Sequence, residues 1–149
     1  MNTKFQLEYQ RATYALAAGA EKQLALFPPF VCFGDELVMD WYYAREHLEQ
    51  STAAVFTPEQ IALVQELDRI IHCYGGKTDD PLFVTAEALR ADPRWEQIRA
   101  AARELIVAMR WPLLEPWPAN ATYVPARVGG SMKQRWWEIW KSRGGGPRF

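Results

Sequence analysis

The tetrapeptide Thr57-Pro58-Glu59-Gln60 constrains this chain more than any other stretch. Threonine at the N-cap, proline at the first helical position and glutamine at N3 form a capping box, a helix start that offers no route into a strand. Ile61, Val64, Leu67, Ile71 and Tyr74 continue it as an apolar stripe at helical spacing, and Gly75-Gly76 supplies the glycine that ends a helix in the left-handed conformation. The same grammar recurs. Thr85 caps a short helix through Ala91, and Asp92-Pro93 opens a longer one buried along Trp95, Ile98, Ala102, Leu105 and Met109. Arg94, Arg99, Arg103 and Arg110 interleave with Glu96 and Glu104 on its expected wet faces. Ser131-Met132-Lys133-Gln134 is a second capping box, leading into a final helix through Ser142.

Strand candidates are few. Phe30–Phe33 and Leu82–Val84 are apolar runs of four and three residues, and neither has a convincing partner, so the first reads as a buried linker. Thr3 to Phe27 reads as a long helix with Phe5, Tyr9, Ala12 and Leu16 on one stripe and Leu24 continuing it; Gly19 is the place where it bends or divides. Pro28 and Pro29 stop it. Between Trp111 and Pro125 lie Pro112, Pro116, Pro118 and Pro125, which predict an extended strap over the bundle with Trp117 as its anchor. The expected fold is therefore all-α: an irregular bundle of about five helices with a proline-rich strap and a short C-terminal helix. Residues 1–142 form one domain in this reading, large enough to bury about 70% of the surface of its unfolded chain, and 143–149 form a flexible tail.

Charge is distributed unevenly. Residues 1–50 hold four basic against seven acidic side chains, a net of −3, whereas residues 112–149 hold six against two, a net of +4. The acid concentrates in Asp35 to Gln50, where five carboxylates face Arg45 alone. Asp35 is placed to cap a helix whose core stripe is Leu37, Trp41, Ala44 and Leu48. A neighbouring stripe carries Glu36, Asp40, Tyr43 and His47, and Tyr42, Glu46 and Glu49 extend the polar surface. Two uses suit such a face. It is either solvated, with aromatics packed locally, or a docking surface on which carboxylates steer a cationic partner and tyrosines supply rigid contact area.

Catalytic signatures are missing from the sequence. Ser51, Ser131 and Ser142 stand in no Gly-x-Ser-x-Gly elbow, and there is neither a P-loop nor a Gly-x-Gly-x-x-Gly turn. Adjacent His72 and Cys73 diverge on a helix, and Cys32 and Cys73 read as buried thiols. Glu36, Asp40 and His47 share a stripe that would suit a metal only with help from a second helix, and the bland alternative of a solvated face is preferred, so no metal or other cofactor is expected. Asp79-Asp80 before Pro81 reads as a turn. No cationic segment followed by an apolar run opens the chain, so neither a signal peptide nor a membrane span is predicted, and a cytoplasmic location is expected.

In the C-terminal helix, Lys133, Arg135, Lys141 and Arg143 surround Trp136, Trp137 and Trp140. That mixture suits docking on the body of the protein, association with the acidic front of another copy as a homodimer, or single-stranded nucleic acid. The phosphate footprint of four basic groups is small, so nucleic acid is not the expected partner. The acidic, aromatic segment GDELVMDWYYAREHLE, residues 34–49, in a motif-free chain, resembles in general character the small bacterial immunity proteins that neutralise a toxin by blocking its site. The resemblance implies a non-catalytic inhibitor whose partner is a cationic protein such as a toxin domain. It puts Asp35, Glu36, Asp40, Tyr42, Tyr43, Glu46, His47 and Glu49 at the interface. The rivals are a metal-dependent enzyme using the carboxylate and histidine stripe and a small regulatory nucleic-acid binder using the tryptophan helix.

Overall fold

Gly19 does divide the N-terminal helix. In a computed structural model, which describes residues 4–50, 56–77 and 79–124, α1 spans Lys4–Ala17 and α2 spans Ala20–Leu24, with Gly19 in extended backbone at the N-cap between them. Four more helices follow among the described residues: α3 Phe33–Gln50, α4 Pro58–Tyr74, α5 Ala86–Ala91 and α6 Pro93–Ala108. No strand occurs among them, and the all-α reading holds. The expected C-terminal helix and tail lie outside the described residues.

The starts of α4, α5 and α6 are those the capping residues dictate. Thr57 Oγ1 accepts the Gln60 N–H at 3.2 Å while the Gln60 side chain accepts the Thr57 N–H at 2.9 Å, and Gln60 also donates to the Ala108 carbonyl at the end of α6. Thr85 accepts from the Ala88 N–H and Asp92 from the Arg94 N–H. At the far end of α6, Trp111 N–H returns to the Ile106 carbonyl and Arg110 N–H to Val107, a Schellman closure that leaves Arg110 at φ 57°.

α1 is the central helix. It packs on α3 and on α6, and α4 packs on α6. Every residue from Tyr9 to Leu16 is buried, including Gln10, Arg11 and Thr13. The described strap closes a further side of it: Trp111 packs edge-on against Tyr9 and tilted against Tyr14, the Tyr14 hydroxyl donates to the Pro112 carbonyl, and Trp117 lies 5.8 Å from the Tyr14 ring. The core is built on Tyr9, Leu16, Leu37, Trp41, Leu67, Trp95 and Leu105, side chains that each contribute roughly 1.5–3 kcal/mol on burial. Trp95 also satisfies its indole N–H, which donates to the Leu82 carbonyl at 2.8 Å.

A helix buried all round needs donors for its last carbonyls. Gln23, fully buried on α2, donates to the carbonyls of Ala15 and Leu16 at 3.0 and 3.1 Å. Arg99, which the sequence pattern puts on a wet face, has a side chain only 3% exposed. Its guanidinium is drawn inward by carbonyls: it donates to Ala18 and Leu89, and to the Gln23 side chain, while Glu96 pairs with it at the rim. Arg103 adds a bond to the Ala17 carbonyl. Two arginines thus stand at the negative end of α1, where the helix dipole favours cations.

Candidate functional site

α3 has three differently occupied faces. The expected core stripe is correct, since Leu37, Trp41, Ala44 and Leu48 are all buried. The expected polar surface is only partly there, because three of its eight residues point into the protein.

Asp35 is fully buried and lies inside the first turn rather than at the cap. The helix begins two residues earlier, with the Cys32 carbonyl accepting the Glu36 N–H at 3.0 Å, and the Asp35 N–H donates to the Phe83 carbonyl at 2.9 Å. Gly34 permits this approach: a Cβ there would lie 2.6 Å from Phe83 Cα and 2.8 Å from the Trp95 ring. The first turn is therefore pressed onto the 81–84 segment, which takes Asp35 off the surface.

Tyr42 and Glu49 are turned toward α4. The Arg45 guanidinium lies 4.6 Å above the Tyr42 ring and 5.1 Å above Trp41, bonds Asp68 at 2.6 Å, and approaches Glu49 at 3.5 Å. Tyr42 is 7% exposed and the Glu49 side chain 8%. Burial pushes the Tyr42 hydroxyl up, with Arg45 opposing. A charge this deep must be paired, so Arg45 withdraws both residues from the surface.

The remaining five residues share the outer edge of α3. Glu36, Asp40, Tyr43 and Glu46 are partly exposed and His47 is exposed. Asp40 is not a bare carboxylate: Arg11 of α1 stands 3.5 Å away and also bonds Glu8 at 3.1 Å. Burial raises the Asp40 carboxyl above its ordinary range while Arg11 holds it down. His47 stacks on Phe5 of α1, with ring centroids 5.9 Å apart and planes 18° from parallel. Phe5, on the predicted core stripe, is 40% exposed, since it sits in the first turn of α1, beyond the end of the buried stretch. Phe5 and Glu8 therefore join the edge as residues the α3 pattern could not reveal. Their signal is spacing on α1, where i and i+3 share a face.

The strap reaches the opposite end of this edge. Tyr123 packs edge-on against Phe27 at 5.5 Å, and its hydroxyl is pushed up to about 12, by burial first and then by the nearby Asp40 and Glu36 charges. Trp117, the expected anchor, is 37% exposed, and Trp111 sits deeper.

Elsewhere the chemistry is sparse. Cys32 is partly exposed and Cys73 exposed, so neither is the buried thiol expected; Cys73 falls on the outer side of α4, off the Val64, Leu67 and Ile71 stripe. Among the described residues no three His, Cys, Asp or Glu side chains converge as a metal would require. Asp80 forms the predicted turn by accepting the Leu82 N–H at 3.0 Å. No helix among the described residues is long and apolar enough to cross a membrane. No protein-family model, curated protein or solved structure matches this chain.

Proposed function

We propose that this protein is a non-catalytic binding protein of the immunity type, which neutralises a cationic toxin domain by covering it with the outer edge of α3. The supporting observation is the composition of that edge. Glu36, Asp40, Tyr43, Glu46 and His47 lie along it at helical spacing, and α1 adds Phe5 and the half-exposed Glu8. Carboxylates in such a row attract a basic surface and speed encounter, and Tyr43 with the Phe5–His47 stack offers rigid aromatic area once water is excluded. Asp35, Tyr42 and Glu49 are not in this docking set. The occupation of Asp40 by Arg11 favours binding over a metal-dependent reaction at the same stripe. A bacterial, cytoplasmic setting belongs to the same proposal.

The test is a pull-down from the source organism's lysate at low and at high salt, with Glu46→Lys and Tyr43→Ala beside the parent chain. One stoichiometric basic protein should be retained at low salt and lost with Glu46→Lys. Tyr43→Ala should weaken it by about 2 kcal/mol or more. Retention indifferent to both substitutions, with circular dichroism unchanged, would overturn the proposal.

A further inference from the structure

Tyr9 of α1 and Trp41 and Arg45 of α3 are 0%, 0% and 2% exposed, and each carries a buried polar atom that makes no hydrogen bond among the described residues. These atoms are the Tyr9 hydroxyl, the Trp41 indole N–H and the Arg45 Nε–H. Trp41 and Arg45 stand four residues apart on α3 and so share a face. The guanidinium carbon lies 5.1 Å from the centre of the Trp41 ring, and the Tyr9 and Trp41 rings are 6.1 Å apart. Burial raises the Tyr9 hydroxyl first, and Arg45, Trp41, Glu49 and Asp68 are all near enough to act on it as well. The three atoms therefore meet at one junction of α1, α3 and α4.

The surroundings narrow what can join them. Phe56 and Trp111 stand in T-shaped contact with the Tyr9 ring at 6.2 and 6.0 Å, which supplies apolar area but no strong acceptor. Arg45 directs Nη1 to Asp68 at 2.6 Å, whereas its Nε is 3.5 Å from Glu49, beyond a well-formed hydrogen bond. A ligand at this depth is enclosed and therefore small. An indole N–H and a guanidinium only donate, so they disfavour a metal ion or an ammonium group, and the Asp68 and Glu49 charges disfavour an anion. A neutral molecule that accepts two hydrogen bonds and donates others fits all three atoms. Water has that character, and internal waters regularly make about three bonds to buried polar groups that the protein leaves unpaired.

We propose that one water molecule resides at this junction, accepting from the Trp41 indole N–H and the Arg45 Nε–H and bonded to the Tyr9 hydroxyl. It ties α1 to α3 in the interior, next to the Arg45–Asp68 pair that ties α3 to α4. The site is independent of the binding function proposed above.

Cross-relaxation between solvent water and the ¹⁵N-labelled full chain tests the site at the Trp41 indole N–H, whose signal Trp41→Phe assigns by removing it. The parent should show a cross-peak from this proton to water, of opposite sign in the laboratory and rotating frames, the mark of a bound rather than a diffusing molecule. The Tyr9 hydroxyl proton, which exchanges with solvent, is the rival source of such a peak. Tyr9→Phe deletes that one oxygen and keeps both N–H donors, so the cross-peak should persist in it. A Trp41 signal with no water cross-peak in the parent would overturn the proposal by itself. A cross-peak that Tyr9→Phe abolishes, with circular dichroism unchanged, would overturn it too, because the indole then donates directly to the Tyr9 hydroxyl with no molecule between them.

Discussion

The Arg45 guanidinium on α3 meets the Asp68 carboxylate on α4 at 2.6 Å, with the two side chains 3% and 8% exposed. Trp41 and Tyr42 flank the cation, and Glu49 stands at 3.5 Å. Removing one member of a buried pair leaves a desolvated charge, so Arg45→Met should cost about 3–5 kcal/mol. Asp68→Leu alone should cost less, because Glu49 still faces the cation. The double variant Arg45→Met/Asp68→Leu should recover much of the loss, since well-packed apolar residues replace such pairs nearly neutrally. Denaturant unfolding of all four proteins gives the coupling, and strictly additive losses would contradict it.

Arg99 is the second buried arginine, and its partners differ. It serves carbonyls, those of Ala18 and Leu89, together with the Gln23 side chain. Arg99→Met strands several acceptors at once, and a loss of about 3 kcal/mol is expected from unmade bonds of about 1–3 kcal/mol each. Arg103→Met is the control, because the Arg103 side chain is 52% exposed and water can replace its bond to Ala17. Its effect should stay within about 0.5 kcal/mol. Equal losses at the two positions would show that burial of the guanidinium is not what matters.

These two arginines mark where the sequence stops being readable. Helix starts are legible to the residue at Thr57, Thr85 and Asp92, because a cap is a local bond between near neighbours. The core faces of α3 and α6 are legible because apolar spacing is local too. The centrality of α1 is not: Gln10, Arg11 and Thr13 are buried in it although polar, and residues as distant as Trp111 and Trp117 pack on its Tyr14. Likewise Tyr42 and Glu49 read as surface, because Asp68, the buried partner of Arg45, lies on another helix. On the candidate edge, Glu36, Tyr43 and Glu46 follow from helical spacing, whereas the Phe5–His47 stack needs the packing of α1 on α3.

Arg110 takes the left-handed conformation that ends α6, at φ 57°. The closing bonds to Ile106 and Val107 are made by backbone, and the residue is exposed. A side chain in this conformation costs roughly 1 kcal/mol that glycine avoids. Arg110→Gly should therefore stabilise the protein by about that amount, even though glycine usually weakens folded states. A fall in melting temperature would indicate that the Arg110 side chain contributes more than the strain removes.

Arg94 should govern acid sensitivity. It bonds Asp80 through Nη2 at 2.9 Å and Asp92 through Nη2 at 2.7 Å, and these bonds hold both carboxyls below their ordinary value of 3.8. Groups depressed in the folded state stabilise it above the unfolded value, and that stability is lost as pH falls below 3.8 through the folded values. Asp40 runs the other way. Its carboxyl is raised by burial, so the folded state binds its proton more readily and stability declines as pH rises from 3.8 through the raised value. Arg94→Gln removes the first trend and leaves the second. Its melting temperature should lie below that of the parent at pH 7, and the gap should close on acidification as Asp80 and Asp92 become protonated in both proteins. Thermal unfolding followed by circular dichroism from pH 7 to pH 2 measures it. A gap that stays constant across that range would mean that Arg94 acts by packing over Tyr74, whose ring lies 5.6 Å beneath it, rather than through its two carboxylates.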